Sequence, residues 1–200
     1  MYPREVPDSA KSVTEPRVKG VAFRTIDLCF AELRGVEVRA RAREFMHVDV
    51  AGAYRDGLLL AASWYPISWY RDAFRAFRAG TGEGLELPRT IGKRAVFHDF
   101  RGVHKQLLAK VVSPQMLLDL GHRVFNTYYD TGRLEVLESR KGYAKVRLAG
   151  CLGWDANMWS ELCGSCEGQL EIAGARHVRL RVLWGGGETD ANAEFEAHWV

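Results

Sequence analysis

The sequence predicts an α+β fold in which a helical N-terminal two thirds packs on a C-terminal antiparallel β-β-α-β-β sheet module. Three observations predict it. Helical periodicity dominates residues 20–131, period-two alternation follows residue 132, and one amphipathic helix separates two pairs of strands. Helices and strands are therefore segregated along the chain, which favours α+β over an alternating α/β fold.

Length and composition are those of one domain. The chain has 200 residues, 47% of them apolar, with a formal net charge of +3, which is too small to argue for nucleic acid. Residues 1–19 carry three prolines and no periodicity, so we predict a flexible tail followed by a single domain over 20–200. The longest apolar run, 57–65, is too short for a membrane span, and no signal peptide is recognised, so we expect a cytoplasmic protein.

The helical part begins with an apolar stripe that Gly35 closes: Val21, Phe23, Ile26, Leu28, Phe30 and Leu33. Residues 36–46 carry three arginines on alternate positions, a pattern that suits either a second helix or an exposed strand. The apolar run 58–65 stops at Pro66, which excludes the α conformation at Tyr65 and can begin the next helix.

That next helix carries a strong apolar face: Trp69, Tyr70, Ala73, Phe74 and Phe77. The glycines of 80–84 end it, and 88–111 is predicted to be helical in one or two pieces. Ser113 and Pro114 form a helix start, a cap residue followed by proline at the first position, and this last helix stops at Gly132.

The C-terminal module opens with two strands, 134–140 and 141–151, with Gly142 placed for the tight turn between them. A repeat at steps of four then predicts a helix that begins near Asp155 and ends at Gly174. Its apolar stripe consists of Trp154, Met158, Leu162, Cys166 and Leu170, broadened by Trp159 and Cys163.

Two further strands complete the module. One face of the first carries Val178, Leu180, Val182 and Trp184, and one face of the second carries Phe195, Ala197 and Trp199. We expect the terminal strand, with Trp199, to offer an edge for a homodimer.

Helices leading into this β-β-α-β-β module resemble the superfamily that contains the vinyl-four-reductase (V4R) domain and the haem-nitric-oxide-binding domain. By length, and by the Trp64-Tyr65-Pro66 segment before a tyrosine-containing helix, the chain is most similar to a paralogous family of myxobacterial proteins of about this size. The resemblance implies a sensor or adaptor domain over residues 20–200.

Haem-binding members of this superfamily carry a Tyr-x-Ser-x-Arg motif that holds the haem propionates. The corresponding run here, 137–141, matches only at Ser139, and Lys141 stands where the motif has arginine. Lysine keeps the charge but loses the bidentate geometry.

The resemblance also implies a proximal histidine on a helix before the module, where His98, His104 and His122 are available. His104 is the first choice, because apolar residues follow it on the same helix. Haem with His104 as its ligand is therefore the alternative cofactor prediction, and the leading prediction is a domain without a cofactor.

No catalytic motif accompanies the fold, and we predict that the chain is not an enzyme. Cys163 and Cys166 form a lone C-x-x-C, whereas zinc needs four ligands and a redox pair needs an exposed thiol at a helix N-terminus. Both cysteines are interpreted as small buried hydrophobes, and no metal site is predicted. The glycines of 80–84 follow a helix and are interpreted as a connector.

Aromatic residues are the remaining functional signal, either as core or as the lining of a pocket between helices and sheet. The candidate ligand-binding residues are Trp69, Tyr70, Arg71, Phe74, Phe125, Tyr128 and Tyr129. In the pocket hypothesis, tyrosine hydroxyls and the guanidinium groups of Arg71 and Arg75 orient an anionic head group. We predict a sensor or adaptor that binds a hydrophobic small molecule or a protein partner, with a haem-binding sensor of a diatomic gas as the alternative.

Overall fold

A computed structural model describes residues 15–101 and 113–200 of the chain. Its helices are α1 (Gly20–Arg34), α2 (Val36–Arg43), α3 (Val48–Arg55), α4 (Ile67–Thr81), α5 (Glu86–Arg101), α6 (Pro114–Tyr128) and α7 (Ala156–Ile172). Its strands are β1 (Arg17–Lys19), β2 (Trp64–Pro66), β3 (Arg133–Arg140), β4 (Tyr143–Ala149), β5 (Arg179–Gly185) and β6 (Ala193–His198). The predicted α+β fold is confirmed, and residues 36–46, for which helix and strand were both open, are largely helical.

The C-terminal sheet is antiparallel with the strand order β3-β4-β6-β5. Gly142, at a φ of +78°, turns the chain between β3 and β4 as predicted. The terminal strand β6 lies inside the sheet because it inserts between β4 and β5 and pairs with both. The prediction that this strand offers an edge is therefore wrong, and Trp199 is only 9% exposed.

A β-bulge changes the face on which Trp184 lies. Val182 pairs with Phe195, whereas Trp184 pairs with Glu194, with a register shift between the two. Because neighbouring residues of a strand point to opposite faces, Trp184 lies on the outer face, away from Val182. The predicted shared face holds for Val182 and fails at Trp184, which is 48% exposed.

The segment before α1 is not wholly a tail. β1 pairs antiparallel with β2, Val18 is fully buried, and the backbone N–H of Ser68 donates to Glu15 Oε1 at 3.0 Å. The prediction of a flexible tail is therefore wrong for residues 15–19, and its remaining part lies outside the described residues.

Helix termini follow the predicted capping chemistry. The Ser113 hydroxyl accepts from the backbone N–H of Met116 at 3.3 Å, with Pro114 in the first turn. Asp155 Oδ1 accepts from the backbone N–H of Met158 at 3.0 Å. These caps satisfy amide groups that a helix start otherwise leaves unpaired.

Helices α5 and α7 cross in backbone contact. A Cβ added at Gly164 would lie 1.8 Å from the Arg89 carbonyl oxygen, and one added at Gly92 would lie 2.1 Å from the Glu161 carbonyl oxygen. Only glycine fits at such an approach. The crossing fixes the backbone of Glu161, whose side chain is part of the site described below.

None of the helices in the described ranges is long and apolar enough to cross a bilayer.

Candidate ligand-binding cavity

A cavity lies between α1, α4, α5, α6 and α7. The space open to the centre of a water molecule inside it has a volume of about 90 Å³. Because one water needs ~10–15 Å³ of such space, the cavity has room for several waters or a small organic group. Most of its wall is apolar. The polar residues of its wall are Thr25, Tyr70, Asp99, Tyr128, Tyr129, Glu161, Ser165 and Gln169. No lysine, arginine or histidine of the described residues lines it.

Glu161, on α7, is the most deeply buried acid of the cavity, at 6% exposure. The Tyr129 hydroxyl donates to its Oε2 at 3.3 Å, and the Ser165 hydroxyl donates to its Oε1 at 2.9 Å. Burial raises the pKa of Glu161 to about 7; the two hydrogen bonds lower it, and the charge of Asp99 raises it further. The carboxyl therefore changes charge near neutral pH.

Asp99 links three helices at the other side of the cavity. Its Oδ2 accepts from the Tyr128 hydroxyl on α6 at 2.5 Å, and its Oδ1 accepts from the Thr25 hydroxyl on α1 at 3.3 Å. Burial, together with the nearby Asp99 charge, raises the pKa of Tyr128, so that phenol stays a hydrogen-bond donor.

Tyr70 brings a third hydroxyl from α4. The residue is 1% exposed and lines the cavity, and burial keeps its pKa well above the ordinary value. Within the described ranges, no group hydrogen-bonds this hydroxyl. A tyrosine hydroxyl can both donate and accept a hydrogen bond, so this one is available to a ligand in the cavity.

The sequence-predicted site residues divide into two groups. Tyr70, Phe125, Tyr128 and Tyr129 line the cavity, whereas Trp69, Arg71 and Phe74 do not. Trp69 stacks on Tyr65, and Phe74 is fully buried core.

The two arginines of the hypothesis point elsewhere. Arg71 Nε lies 3.5 Å from Asp155 Oδ2, and Arg75 pairs with Asp72. The prediction that guanidinium groups orient an anionic head group in this pocket is therefore wrong, since the cavity presents carboxyl groups instead.

Sequence reasoning missed Glu161 and Asp99. Glu161 follows Met158 by three positions and precedes Leu162, so it falls within the buried stripe of α7. An acid inside an apolar stripe is the signal that could have found it. Asp99 gives no such signal, because its role depends on helices distant in sequence.

The described residues do not fit haem in this cavity. His98 lies outside it, with Nε2 3.0 Å from Glu32 Oε2 on α1, and His122 is exposed. His104 lies outside the described residues. Ser139 and Lys141 are exposed at the end of β3 and do not line the cavity, so they do not hold propionate groups in it. Propionate groups would face two carboxyls and no described cation.

Cys163 is buried as predicted, whereas Cys166 is only partly buried. Burial raises the pKa of the Cys163 thiol to about 12; Cys166 lines the cavity, and burial raises its pKa as well. In the part of the chain that the structure describes, no three His, Cys, Asp or Glu side chains are grouped to hold a metal ion.

A second, smaller cavity of about 50 Å³ adjoins the first between α6, α7 and the sheet. The two share Gly121, Leu134, Cys166 and Gln169 in their walls. Otherwise the second cavity is lined by apolar residues such as Leu117, and it reaches the inner face of the sheet.

No family model matches the sequence, and no curated protein matches it. Solved structures do match, among them several haem-nitric-oxide-binding (H-NOX) proteins. A variant of the Fe(II) unliganded H-NOX protein from K. algicida has a TM-score of 0.70 at 16% identity, covering 91% of this chain and 96% of that one.

Two other structures agree. An oxygen-binding H-NOX domain related to soluble guanylate cyclases, in its oxygen complex, gives a TM-score of 0.67 at 15% identity, with 90% and 94% covered. A variant of an H-NOX protein from S. oneidensis in the Fe(II) ligation state gives a TM-score of 0.70 at 12% identity, with 91% of this chain and 96% of that one covered. The chain therefore has the H-NOX fold, and identities this low carry the fold alone.

Proposed function

We propose that the chain is a non-catalytic sensor domain on the H-NOX fold that binds a small, largely apolar molecule in the cavity between α1, α4, α5, α6 and α7. The cavity itself carries the proposal. Its wall is apolar, and a few convergent polar groups, Glu161 and Tyr70 among them, face the space, which is the usual composition of a small-molecule site. A ligand that bonds these groups would offset the cost of burying them.

The direct test is to purify the full chain and extract it for mass spectrometry. Gly121→Leu is the blocking variant, because Gly121 lies in the wall that both cavities share and an added Cβ would meet Leu134 Cδ2 at an ordinary 3.4 Å. Asn126→Leu adds the same side chain on the exposed side of α6 and is the matched control.

We expect a molecule that co-purifies with the wild type and with Asn126→Leu and is absent from Gly121→Leu, with circular dichroism unchanged in all three. The same set of molecules from all three proteins would contradict binding in the cavity.

A haem-binding sensor of a diatomic gas is the second candidate. The H-NOX likeness supports this alternative better than it supports a domain without a cofactor, since the similar structures are described with Fe(II) and with bound oxygen. The described lining does not fit haem, so this candidate rests on His104.

An absorption spectrum from 300 to 700 nm, after expression with a haem precursor, separates the two candidates. An intense Soret band that His104→Ala abolishes would establish haem and overturn the cofactor-free proposal. A flat spectrum at full protein recovery would exclude the haem candidate.

The relation to V4R domains and to the myxobacterial family, the cytoplasmic location and the homodimer stay predictions. If a homodimer forms, the exposed edges β3 and β5 are where a second sheet would pair, since β6 has neighbours on both sides. Light scattering on the purified chain measures the oligomeric state directly.

A further inference from the structure

Glu161 differs from the other buried carboxyl groups in having no cation. Buried acids in the described ranges are Asp27, Asp155, Glu161 and Glu194. Asp27 pairs with Arg39 and Arg43, Asp155 with Arg71, and Glu194 with Lys145 and Arg147. Only Glu161 is bonded within the described chain by hydroxyl groups alone. A buried carboxylate normally needs an opposite charge.

Among the described residues, the wall of the cavity around Glu161 holds no lysine, arginine or histidine. Asp99 also lines the cavity, where Tyr128 and Thr25 donate hydrogen bonds to it, and its negative charge acts on Glu161. A cation that enters the cavity beside Glu161 would be attracted by that carboxylate in surroundings of low dielectric.

The Tyr70 hydroxyl is an independent indication of a ligand. It comes from a different helix, is 1% exposed and lines the cavity, and no described group hydrogen-bonds it. Its oxygen can accept a hydrogen bond from a donor group inside the cavity. An ammonium group has three donors and no acceptor, so it can serve a carboxylate and this oxygen together.

The adjoining cavity indicates the chemistry of the rest of the ligand. It shares part of its wall with the first and is otherwise apolar. A group that extends from the acids past Gly121 toward the sheet would enter hydrocarbon surroundings, which favour an unbranched apolar tail.

From these observations we infer that the ligand is a primary amine with a hydrocarbon tail, whose ammonium group binds Glu161 and Tyr70 while its tail lies in the second cavity. The inference rests on the proposed function and names the chemical class of its ligand. An anionic or neutral head group would leave the Glu161 carboxylate without its counter-charge.

The protonation of Glu161 supports this assignment and gives it a pH dependence. Among the described residues, the titratable groups that interact electrostatically with Glu161 are Cys29 on α1, Tyr70 on α4, Asp99 on α5, Tyr128 and Tyr129 at the end of α6, and Cys163 and Cys166 on its own helix. The pKa values of these phenols and thiols are raised, so they are neutral at pH 7.

An ammonium ion prefers the ionised form of Glu161. A carboxyl with a pKa of about 7 is roughly one tenth ionised at pH 6 and nine tenths at pH 8. Amine affinity therefore rises roughly tenfold over that range, below the pH at which an alkylamine itself loses its proton.

Isothermal titration calorimetry of the full chain with hexylamine, 1-hexanol and hexanoate tests the inference. These three probes share a six-carbon tail and differ in the head group. We expect hexylamine to bind at least tenfold more tightly than the other two at pH 8, and its affinity to fall roughly tenfold at pH 6.

Glu161→Gln keeps the shape of the side chain and removes its charge. It should lose at least tenfold in hexylamine affinity and change hexanol affinity little. Glu171→Gln, on the same helix but paired with Lys93 outside the cavity, is the matched control and should bind as the wild type does. Tyr70→Phe tests the second contact, with an expected severalfold loss for the amine alone.

Two results would overturn the inference, and they are distinguishable. Hexanol or hexanoate binding as tightly as hexylamine would reject the amine class and leave ligand binding in the cavity standing. Binding by none of the three probes, together with an empty extract from the purified protein, would reject the proposed function as well.

Discussion

Glu161 and Glu194 expose similarly little surface, 6% and 5%, yet their pKa values move in opposite directions. Glu194 lies on the outer face of β6, with Lys145 Nζ 2.9 Å from its Oε2 and Arg147 donating to its Oε1 at 2.5 Å. Hydrogen bonds from these two cations lower the pKa of Glu194 to about 2. Burial without a cation raises that of Glu161 to about 7.

Low exposure alone therefore does not set the pKa of these acids. Glu161 lies deep among the helices, where desolvation raises its pKa, whereas Glu194 lies on one face of the sheet, where two cations lower its pKa. At Glu194 the neighbouring strand β4 supplies a counter-charge through Lys145 and Arg147, and these ion pairs link β6 to β4. At Glu161 the chain supplies none that the structure describes, and the space beside the acid is open. The difference supports a structural role for Glu194 and the proposed ligand-binding role for Glu161.

We expect the largest effect on stability from a substitution that moves the backbone around Glu161. Gly164→Ala would place a Cβ 1.8 Å from the Arg89 carbonyl oxygen, so α5 and α7 must separate. We expect a loss of about 3 kcal/mol in the free energy of unfolding, measured by urea titration, since overpacking commonly costs 1–3. An unchanged unfolding midpoint would mean that the two helices do not cross in contact.

Removing the charge of Glu161 should stabilise the protein at alkaline pH. Its folded pKa of about 7 lies above the ordinary value of 4.5, so the folded state holds the proton more tightly and stability falls as pH rises from about 4.5 to about 7. The Glu161→Gln side chain has no charge to titrate, so the stability of the variant does not fall in this way. We expect a gain on the order of 3 kcal/mol at pH 8 and little at pH 4.

Urea unfolding at both pH values measures that gain. Glu171→Gln is the control, and its free energy of unfolding should differ little from that of the wild type at either pH. Destabilisation of Glu161→Gln at pH 8 would show that the carboxylate has a cationic partner in the free protein.

Glu194→Gln should have the opposite pH dependence. The folded pKa of Glu194 lies below its ordinary value, so its contribution is present above about pH 4.5 and is lost as pH falls toward about 2. The variant is therefore expected to be less stable than the wild type at pH 7, and the difference should shrink between pH 4 and pH 3. A difference that stays constant over this range would exclude the ion pairs as its cause.

The smallest effect concerns the wall that the two cavities share. Gly121 lies within α6, and the Cβ of an alanine there would meet only Leu134, at 3.4 Å and 3.9 Å. We expect Gly121→Ala to stabilise the protein by about 0.5–1 kcal/mol, because alanine restricts the unfolded chain and favours helix. A loss of stability in thermal unfolding would indicate that the wall is already fully packed.

The sequence predicted the fold because its strongest signals are local. The steps of four from Trp154 to Leu170, the Ser113-Pro114 start and Gly142 each specify their own element, and the structure confirms them. The bulge at Trp184 and the central position of β6 depend on pairing between strands distant in the chain, and no local pattern indicates them.

The cavity was only partly predictable, for the same reason. Aromatic crowding indicated Tyr70, Tyr128 and Tyr129, whereas the roles of Glu161 and Asp99 arise where five helices meet. The arginines beside the aromatic residues suggested an anionic ligand. Only the structure reveals that acids of their own, such as Asp155, neutralise them.

The most direct test of the account is a ¹³C NMR titration of the glutamate carboxyl groups, with the Glu161 resonance assigned by its absence in Glu161→Gln. In the free protein we expect Glu161 to titrate near pH 7, and in saturating hexylamine to titrate at least one pH unit lower, because the bound ammonium favours the carboxylate. A Glu161 resonance that titrates near 4.5 without ligand, or one that hexylamine leaves unmoved, would contradict the account.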